Sequence, residues 1–65
     1  MLRQDLEQVM NIINTFAEPD REIFIRRFIK GEKINDLARS LNLSRAAVDN
    51  RLLRGRKVIK EGLKI

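Results

Sequence analysis

The chain has 65 residues, with fourteen Lys or Arg, nine Asp or Glu, no cysteine or histidine, and a formal net charge of +5. This length allows one domain with a modest core, and the composition excludes a disulfide scaffold and the usual zinc ligands. The sequence has no apolar run of the roughly 20 residues that span a membrane and no signal peptide, so we expect a cytoplasmic protein. Without cysteine or histidine, we also expect it to bind no metal or other cofactor.

The net positive charge comes entirely from one half of the chain. Residues 1–31 carry equal numbers of basic and acidic side chains, whereas residues 32–65 carry nine basic and four acidic ones. A one-sided basic field favours a polyanionic partner, with nucleic acid as the first candidate and an acidic membrane surface as the second. A solvated basic tail is the alternative that charge alone leaves open.

Apolar residues recur with helical spacing throughout, and no segment alternates as a strand does. The spacing predicts a first helix over residues 2–16. Pro19 breaks the chain and suits the first turn of a second helix, over residues 19–29, which should be largely buried. Gly31 suits a left-handed residue beyond its end. Two further helices are predicted over residues 33–41 and 44–61.

The corner between the last two helices has a specific chemistry. Asn42 can adopt the left-handed conformation that ends a helix, Leu43 can fill the space between the helices, and Ser44 is a good N-cap. A short helix, a tight turn and a long basic helix in this order predict a helix-turn-helix without a wing. An ordinary corner in a small helical bundle is the alternative.

On a helical wheel, the last helix has a core side and a basic side. Its core side includes Gly55, which is costly inside a helix unless another helix approaches closely. N-terminal residues of the second helix in a helix-turn-helix reach base edges, which predicts base contacts by Arg45, Ala46, Asp49 and Asn50. The residues predicted at or near backbone phosphates are Ser44, Arg51, Leu53, Arg54 and Lys57.

Three of these residues have alternative roles. Asp49 can accept from a cytosine amino group, but we favour an ion pair with Arg45 four residues earlier. Arg51 lies at the edge of the core side and can reach a phosphate or, as we slightly prefer, an acid on the second or third helix. Leu53 is an exposed apolar residue that can contact a sugar or a base methyl group.

Residues 19–60 resemble region 4 of bacterial RNA polymerase sigma factors, most closely the extracytoplasmic-function group. The resemblance lies in Pro19 with the Arg-Glu pair that follows, the Leu37-Ala38 centre of the short helix, the turn ending in Ser44, and the run NRLLRGR at residues 50–56. It differs at Glu18, where a Leu is usual, at Asn42, where a Gly is usual, and at Ala47, where a Thr is common.

The resemblance implies that the last helix binds the double-stranded promoter −35 element, in the cytoplasm and in association with the nucleoid. It also implies a hydrophobic groove for the flap tip of the RNA polymerase β subunit, which an anti-sigma factor can cover. We assign this groove to Val9, Ile12, Ile13, Phe16, Ile25 and Ile29. Since 65 residues cannot hold the region that reads the −10 element, we expect an excised, monomeric domain, although a free-standing protein is the alternative.

Other classes of function fit less well. An enzyme is not expected, because the chain offers no histidine base, cysteine nucleophile or glycine-rich phosphate loop. The DNA-binding domain of another regulator, such as a response regulator, shares the corner chemistry but not usually the basic run that follows it. A protein-interaction domain is the third reading, because the first two helices are apolar enough to form a groove.

Overall fold

The computed structural model describes the backbone of residues 2–63 and the side chains of residues 6–63. The helices are α1 (Leu2–Ile13), α2 (Asp20–Phe24), α3 (Ile34–Leu41) and α4 (Arg45–Gly62), and α2 continues directly into a π-helical segment, Ile25–Ile29. No strand occurs in residues 2–63. The all-α prediction is therefore confirmed for this part of the chain.

Helix α1 ends three residues earlier than the spacing predicts. The amides of Thr15 and Phe16 donate to Ile12 and Ile13, three residues back, so the chain leaves the helix in a tighter turn. The Thr15 hydroxyl also donates to the Ile12 carbonyl, at 2.6 Å. A threonine hydroxyl that donates to a nearby backbone carbonyl competes with helical hydrogen bonding, which accounts for the early end.

The second predicted helix is divided into α2 and the π-helical segment. At its start, the Glu18 carboxylate accepts from the backbone amide of Glu22 at 3.1 Å, so this acid satisfies a donor that the helix leaves unpaired. Ile23 and Phe24 are buried, but Phe28 and Ile29 are 49% and 53% exposed. The prediction of a largely buried helix is wrong beyond Phe24, because the wider π turn changes which side chains face the core.

An ion pair joins the π-helical segment to the loop that follows. The Arg26 guanidinium donates to both carboxylate oxygens of Glu32, with a shortest distance of 2.7 Å. These hydrogen bonds lower the pKa of Glu32 and raise that of Arg26. Gly31 between them has a φ of 74°, the left-handed conformation predicted for it.

The corner between α3 and α4 has the predicted geometry. Asn42 is left-handed, with φ 58° and ψ 40°, and the Leu43 amide donates to the Ala38 carbonyl at 2.8 Å. A bond across five residues closes a helix end in the Schellman motif. Leu43 is half-buried against the core, and the Ser44 side chain accepts from the Ala47 amide at 3.0 Å.

All four helices contribute to one core. Its buried hydrophobic residues are Ile13, Ile23, Phe24, Leu37, Ala38, Val48 and Leu52. The Phe24 ring lies at the centre of a short aromatic row, with centroids 5.4 Å from those of Phe16 and Phe28. The core side of α4 therefore packs against α1, α2 and α3, and its other side faces solvent.

Candidate nucleic-acid interface

Helix α4 presents one continuous exposed face. Val48, Leu52 and Gly55 are buried, which fixes the rotation of the helix about its axis. On the opposite side, the predicted contact residues Ala46, Asp49, Asn50, Leu53, Arg54 and Lys57 are exposed, whereas the neighbouring Ala47 is only partly exposed. The structure thus brings these predicted contact residues together on the solvent side of α4.

The start of this face includes the capped end of the helix. Ser44 uses its hydroxyl oxygen as the N-cap acceptor, which leaves the hydroxyl proton available for an anion. Arg45 Nε lies 3.8 Å from Asp49 Oδ2, and the two side chains are 64% and 49% exposed. This is the pair that the sequence favours, but such an exposed pair is weak and can open to meet a ligand.

Arg51 points in another direction. Its Nη1 donates to Asp20 Oδ1 at 2.6 Å, and each side chain is about 30% exposed. Of the two roles considered for Arg51, the structure shows the contact with an acid on the second helix. This ion pair attaches α4 to the start of α2.

Farther along α4, positive charges surround Leu53, which is 66% exposed. An open cavity of 530 Å³ is lined by Leu53, Arg54, Arg56, Lys57 and Lys60. Within residues 6–63, neither Arg54 nor Lys57 has a carboxylate within 4.0 Å. The exposed face is therefore strongly positive here, as contact with phosphates requires.

A second surface is an apolar groove between α1, the π-helical segment and the C-terminal half of α4. It encloses 480 Å³, and its lining residues are Leu6, Val9, Ile13, Phe24, Phe28, Ile29, Arg56, Ile59, Lys60 and Leu63. Leu6, Phe28 and Ile29 are about half exposed. The Arg56 guanidinium lies 5.6 Å from the centroid of the Phe28 ring, so a cation borders the groove.

The groove differs from the one expected. Of the six residues assigned to it, Val9, Ile13 and Ile29 are among the lining residues, whereas Ile12, Phe16 and Ile25 are not. Ile13 is only 1% exposed and belongs to the floor of the groove. Phe16 instead borders a smaller cavity beside Gly55. Helix α4 also contributes Arg56, Ile59 and Lys60 to the groove, and of these the helical wheel places Ile59 on the core side.

The order of these elements defines a class of protein. A short helix, a left-handed turn residue and a capped basic helix with an exposed outer face form a helix-turn-helix of the DNA-binding kind. The chain belongs to the family described as Sigma-70, region 4, whose model matches residues 6–59. No curated protein and no solved structure gives a significant match.

Family membership places the chain among the DNA-binding domains of sigma factors, which are regulatory domains rather than enzymes. Within the described residues, no three His, Cys, Asp or Glu side chains are grouped so as to hold a metal ion. None of the described helices has the length and apolar character needed to cross a bilayer.

Proposed function

We propose that this domain recognises the promoter −35 element as part of a sigma factor, of the extracytoplasmic-function group, that directs RNA polymerase to transcription initiation. The main support for this proposal is the exposed face of α4. Helix α4 follows the corner at Asn42, and its exposed face lies opposite the buried Val48 and Leu52. A helix held in this way can enter the major groove without losing core contacts. A sigma factor acts in the cytoplasm, on the nucleoid.

The residues that read the bases lie in the N-terminal half of the exposed face of α4. Arg45 can donate to guanine, Asn50 can pair with adenine, Ala46 can contact a thymine methyl group, and Asp49 either accepts from cytosine or restrains Arg45. Phosphate contacts belong to Ser44, Arg54 and Lys57, with Leu53 against the sugar. We leave Arg51 out of the phosphate set, because its guanidinium is engaged by Asp20.

The test is a selection from a library of random duplexes, followed by NMR titration with the selected duplex and a scrambled one at two salt concentrations. We expect a −35-like motif, with the largest shifts over residues 44–57. One domain of this size makes few contacts, so the affinity should be modest. Enrichment of no motif, or shifts confined to α1 and α2, would contradict the proposal.

The apolar groove supports a second part of the proposal, a contact with the flap-tip helix of the polymerase β subunit. The half-exposed Leu6, Phe28 and Ile29 give it apolar anchors, and grooves of this kind bind amphipathic helices. An anti-sigma factor that covered this groove or α4 would block initiation. As an isolated domain the chain should be a monomer.

A titration with a flap-tip peptide tests this part. Leu6→Ser should weaken peptide binding, because it removes an exposed apolar anchor from α1. Leu53→Ser is the matched control, since this exposed leucine lies on the other face of α4, and it should leave peptide binding unchanged. Equal effects of the two substitutions would rule out the groove as the docking site.

A further inference from the structure

The π-helical segment supplies the apolar groove with two of its half-exposed side chains, Phe28 and Ile29. Their position depends on the register of the segment, in which the Lys30 amide donates to the Ile25 carbonyl, five residues back, at 3.1 Å. In an α-helix this amide would donate to Arg26 instead, and the side chains would be rotated by roughly a quarter of a turn at the end of the segment. Phe28 and Ile29 would then leave the groove.

One residue of the following loop, Glu32, contacts the segment through all three of its polar groups. Its amide donates to the Arg26 carbonyl at 2.9 Å, and its carbonyl accepts from Arg27 Nη1 at 3.1 Å. Its carboxylate accepts from Arg26 Nε and Nη2, with a shortest distance of 2.7 Å. Gly31, which has a φ of 74°, provides the left-handed turn that brings Glu32 back to the segment.

The Arg26 carbonyl has a different donor in each register. In this structure it accepts from the Glu32 amide, whereas in an α-helical segment it would accept from the Lys30 amide, four residues along the chain. The hydrogen bond from the loop therefore occupies the acceptor that the α register requires. The contacts of Glu32 favour the π register for this reason.

The π register is not the one that the segment would adopt by itself. Turns of this kind are rare, and they are frequent only where a functional site requires them. In this register Arg27 Nε is buried without a hydrogen-bond partner among the described residues, although buried donors are nearly always satisfied. The contacts of Glu32 therefore offset an unfavourable geometry, and their loss should release the segment into the α register.

We propose that Glu32 is a positioning residue for the apolar groove, because through Arg26 it holds the register that places Phe28 and Ile29 there. For peptide binding this inference rests on the proposed function of the groove. Neither Arg26 nor Glu32 lines the groove, so their effect on an occupant is indirect. An occupant that contacts Phe28 and Ile29 in their present positions binds the π register and selects it.

The register can be measured in the free domain. NMR scalar couplings across hydrogen bonds identify the carbonyl to which the Lys30 amide donates. We expect a coupling to Ile25 in the parent and a coupling to Arg26 in Glu32→Ala. Glu22→Ala is the matched control, because Glu22 also pairs with Arg26, at 3.3 Å, but lies in α2 rather than in the loop. It should keep the coupling to Ile25.

A second variant tests whether the ion pair is responsible. Arg26→Ala removes the same pair from the other side, so it should give the same change of register, and the double variant should add nothing further. Circular dichroism checks that each variant is folded. A π register that persists in folded Arg26→Ala would exclude the ion pair as the means by which Glu32 acts.

A titration with the flap-tip peptide relates the register to binding. If the peptide binds the π register alone, its apparent affinity falls in proportion to the fraction of molecules that retain this register. A variant that retains it in about a tenth of molecules should therefore bind about tenfold more weakly. Glu22→Ala should bind as the parent does. Unchanged affinity in a Glu32→Ala variant that has lost the coupling to Ile25 would overturn the proposal.

The two measurements separate this proposal from the proposed function. If the parent binds no flap-tip peptide, the proposed use of the groove fails, and the free domain still tests the role of Glu32. Loss in Glu32→Ala of both the coupling to Ile25 and the stacked contact of Phe28 with Phe24 would support that role. Retention of the coupling to Ile25 in Glu32→Ala would overturn it, whether or not the peptide binds.

Discussion

The backbone of Gly55 on α4 lies directly against the ring of Phe24 on α2. A Cβ atom added to Gly55 would overlap ring carbons of Phe24 and come within 3.3 Å of Phe16. Phe24 is only 1% exposed and is held between Phe16 and Phe28, so its ring has little room to move. This contact sets the distance between α4 and α2.

Gly55→Ala should therefore destabilise the domain. Alanine improves helix propensity by about 1 kcal/mol, but overpacking a core commonly costs about 1–3 kcal/mol, so we expect a net loss of up to about 2 kcal/mol. Urea denaturation followed by circular dichroism measures it. Gly62→Ala is the control, because its new methyl group would meet only the flexible end of Ile12, at 2.7 Å. A Gly55→Ala variant as stable as the parent would contradict the close approach.

The ion pair between Arg51 and Asp20 should contribute to stability rather than to DNA binding. A double-mutant cycle with Arg51→Gln and Asp20→Asn should give a coupling of about 0.5–1 kcal/mol, near the upper end for partly exposed pairs. The same cycle on the more exposed Arg45–Asp49 pair should give less. Arg51→Gln should also leave the salt slope of DNA binding unchanged; a slope reduced by one phosphate contact would return Arg51 to the DNA-binding surface.

Asn50→Ala should alter which sequence the domain prefers. An asparagine that pairs with adenine contributes roughly 1–3 kcal/mol of discrimination at one base pair, so a selection with the variant should lose preference there. Arg54→Ala is the comparison, because a phosphate contact carries no sequence information and its loss should weaken all duplexes alike. The same selected motif for parent and Asn50→Ala would remove Asn50 from the base-reading set.

Glu32 should make stability depend on pH in acid. Hydrogen bonds from Arg26 lower the pKa of Glu32 in the folded state, so its contribution is present above its unfolded pKa and disappears as pH falls through the folded one. Glu32→Gln should be less stable than the parent near neutral pH, and the difference should vanish in acid. Glu61→Gln, at an exposed position on α4, should show no such trend. Urea unfolding at several pH values measures both, and a difference that persists in acid would exclude the ion pair as its cause.

Local chemistry was sufficient to predict the corner. Asn42 is one of the few residue types that tolerate a positive φ, and Ser44 caps a helix through its own side chain, so neither depends on distant contacts. The prediction that another helix approaches closely at Gly55 also came from local sequence, because a glycine inside a helix is costly unless a close neighbour requires it. The identity of that neighbour, Phe24, depends on packing and became known only from the structure.

The π-helical segment and the groove could not be predicted in this way. Apolar spacing over residues 19–29 fits an α-helix, and nothing in it indicates that the Lys30 amide donates to Ile25, five residues back. That wider turn leaves Phe28 and Ile29 half exposed and so shapes the groove. The paired Arg26 and Glu32 lie six residues apart, a spacing that no helical rule associates with contact.

Helix α4 contributes different residues to its two surfaces. The proposed DNA contacts end at Lys57, whereas the groove takes Arg56, Ile59 and Lys60 from the same helix and Leu63 just after it. The proposed promoter contact would thus use mainly the N-terminal part of this 18-residue helix, and the proposed polymerase contact would use its C-terminal part. The distance between these two contacts would be set by a single helix, so the domain would hold the polymerase at a fixed separation from the promoter.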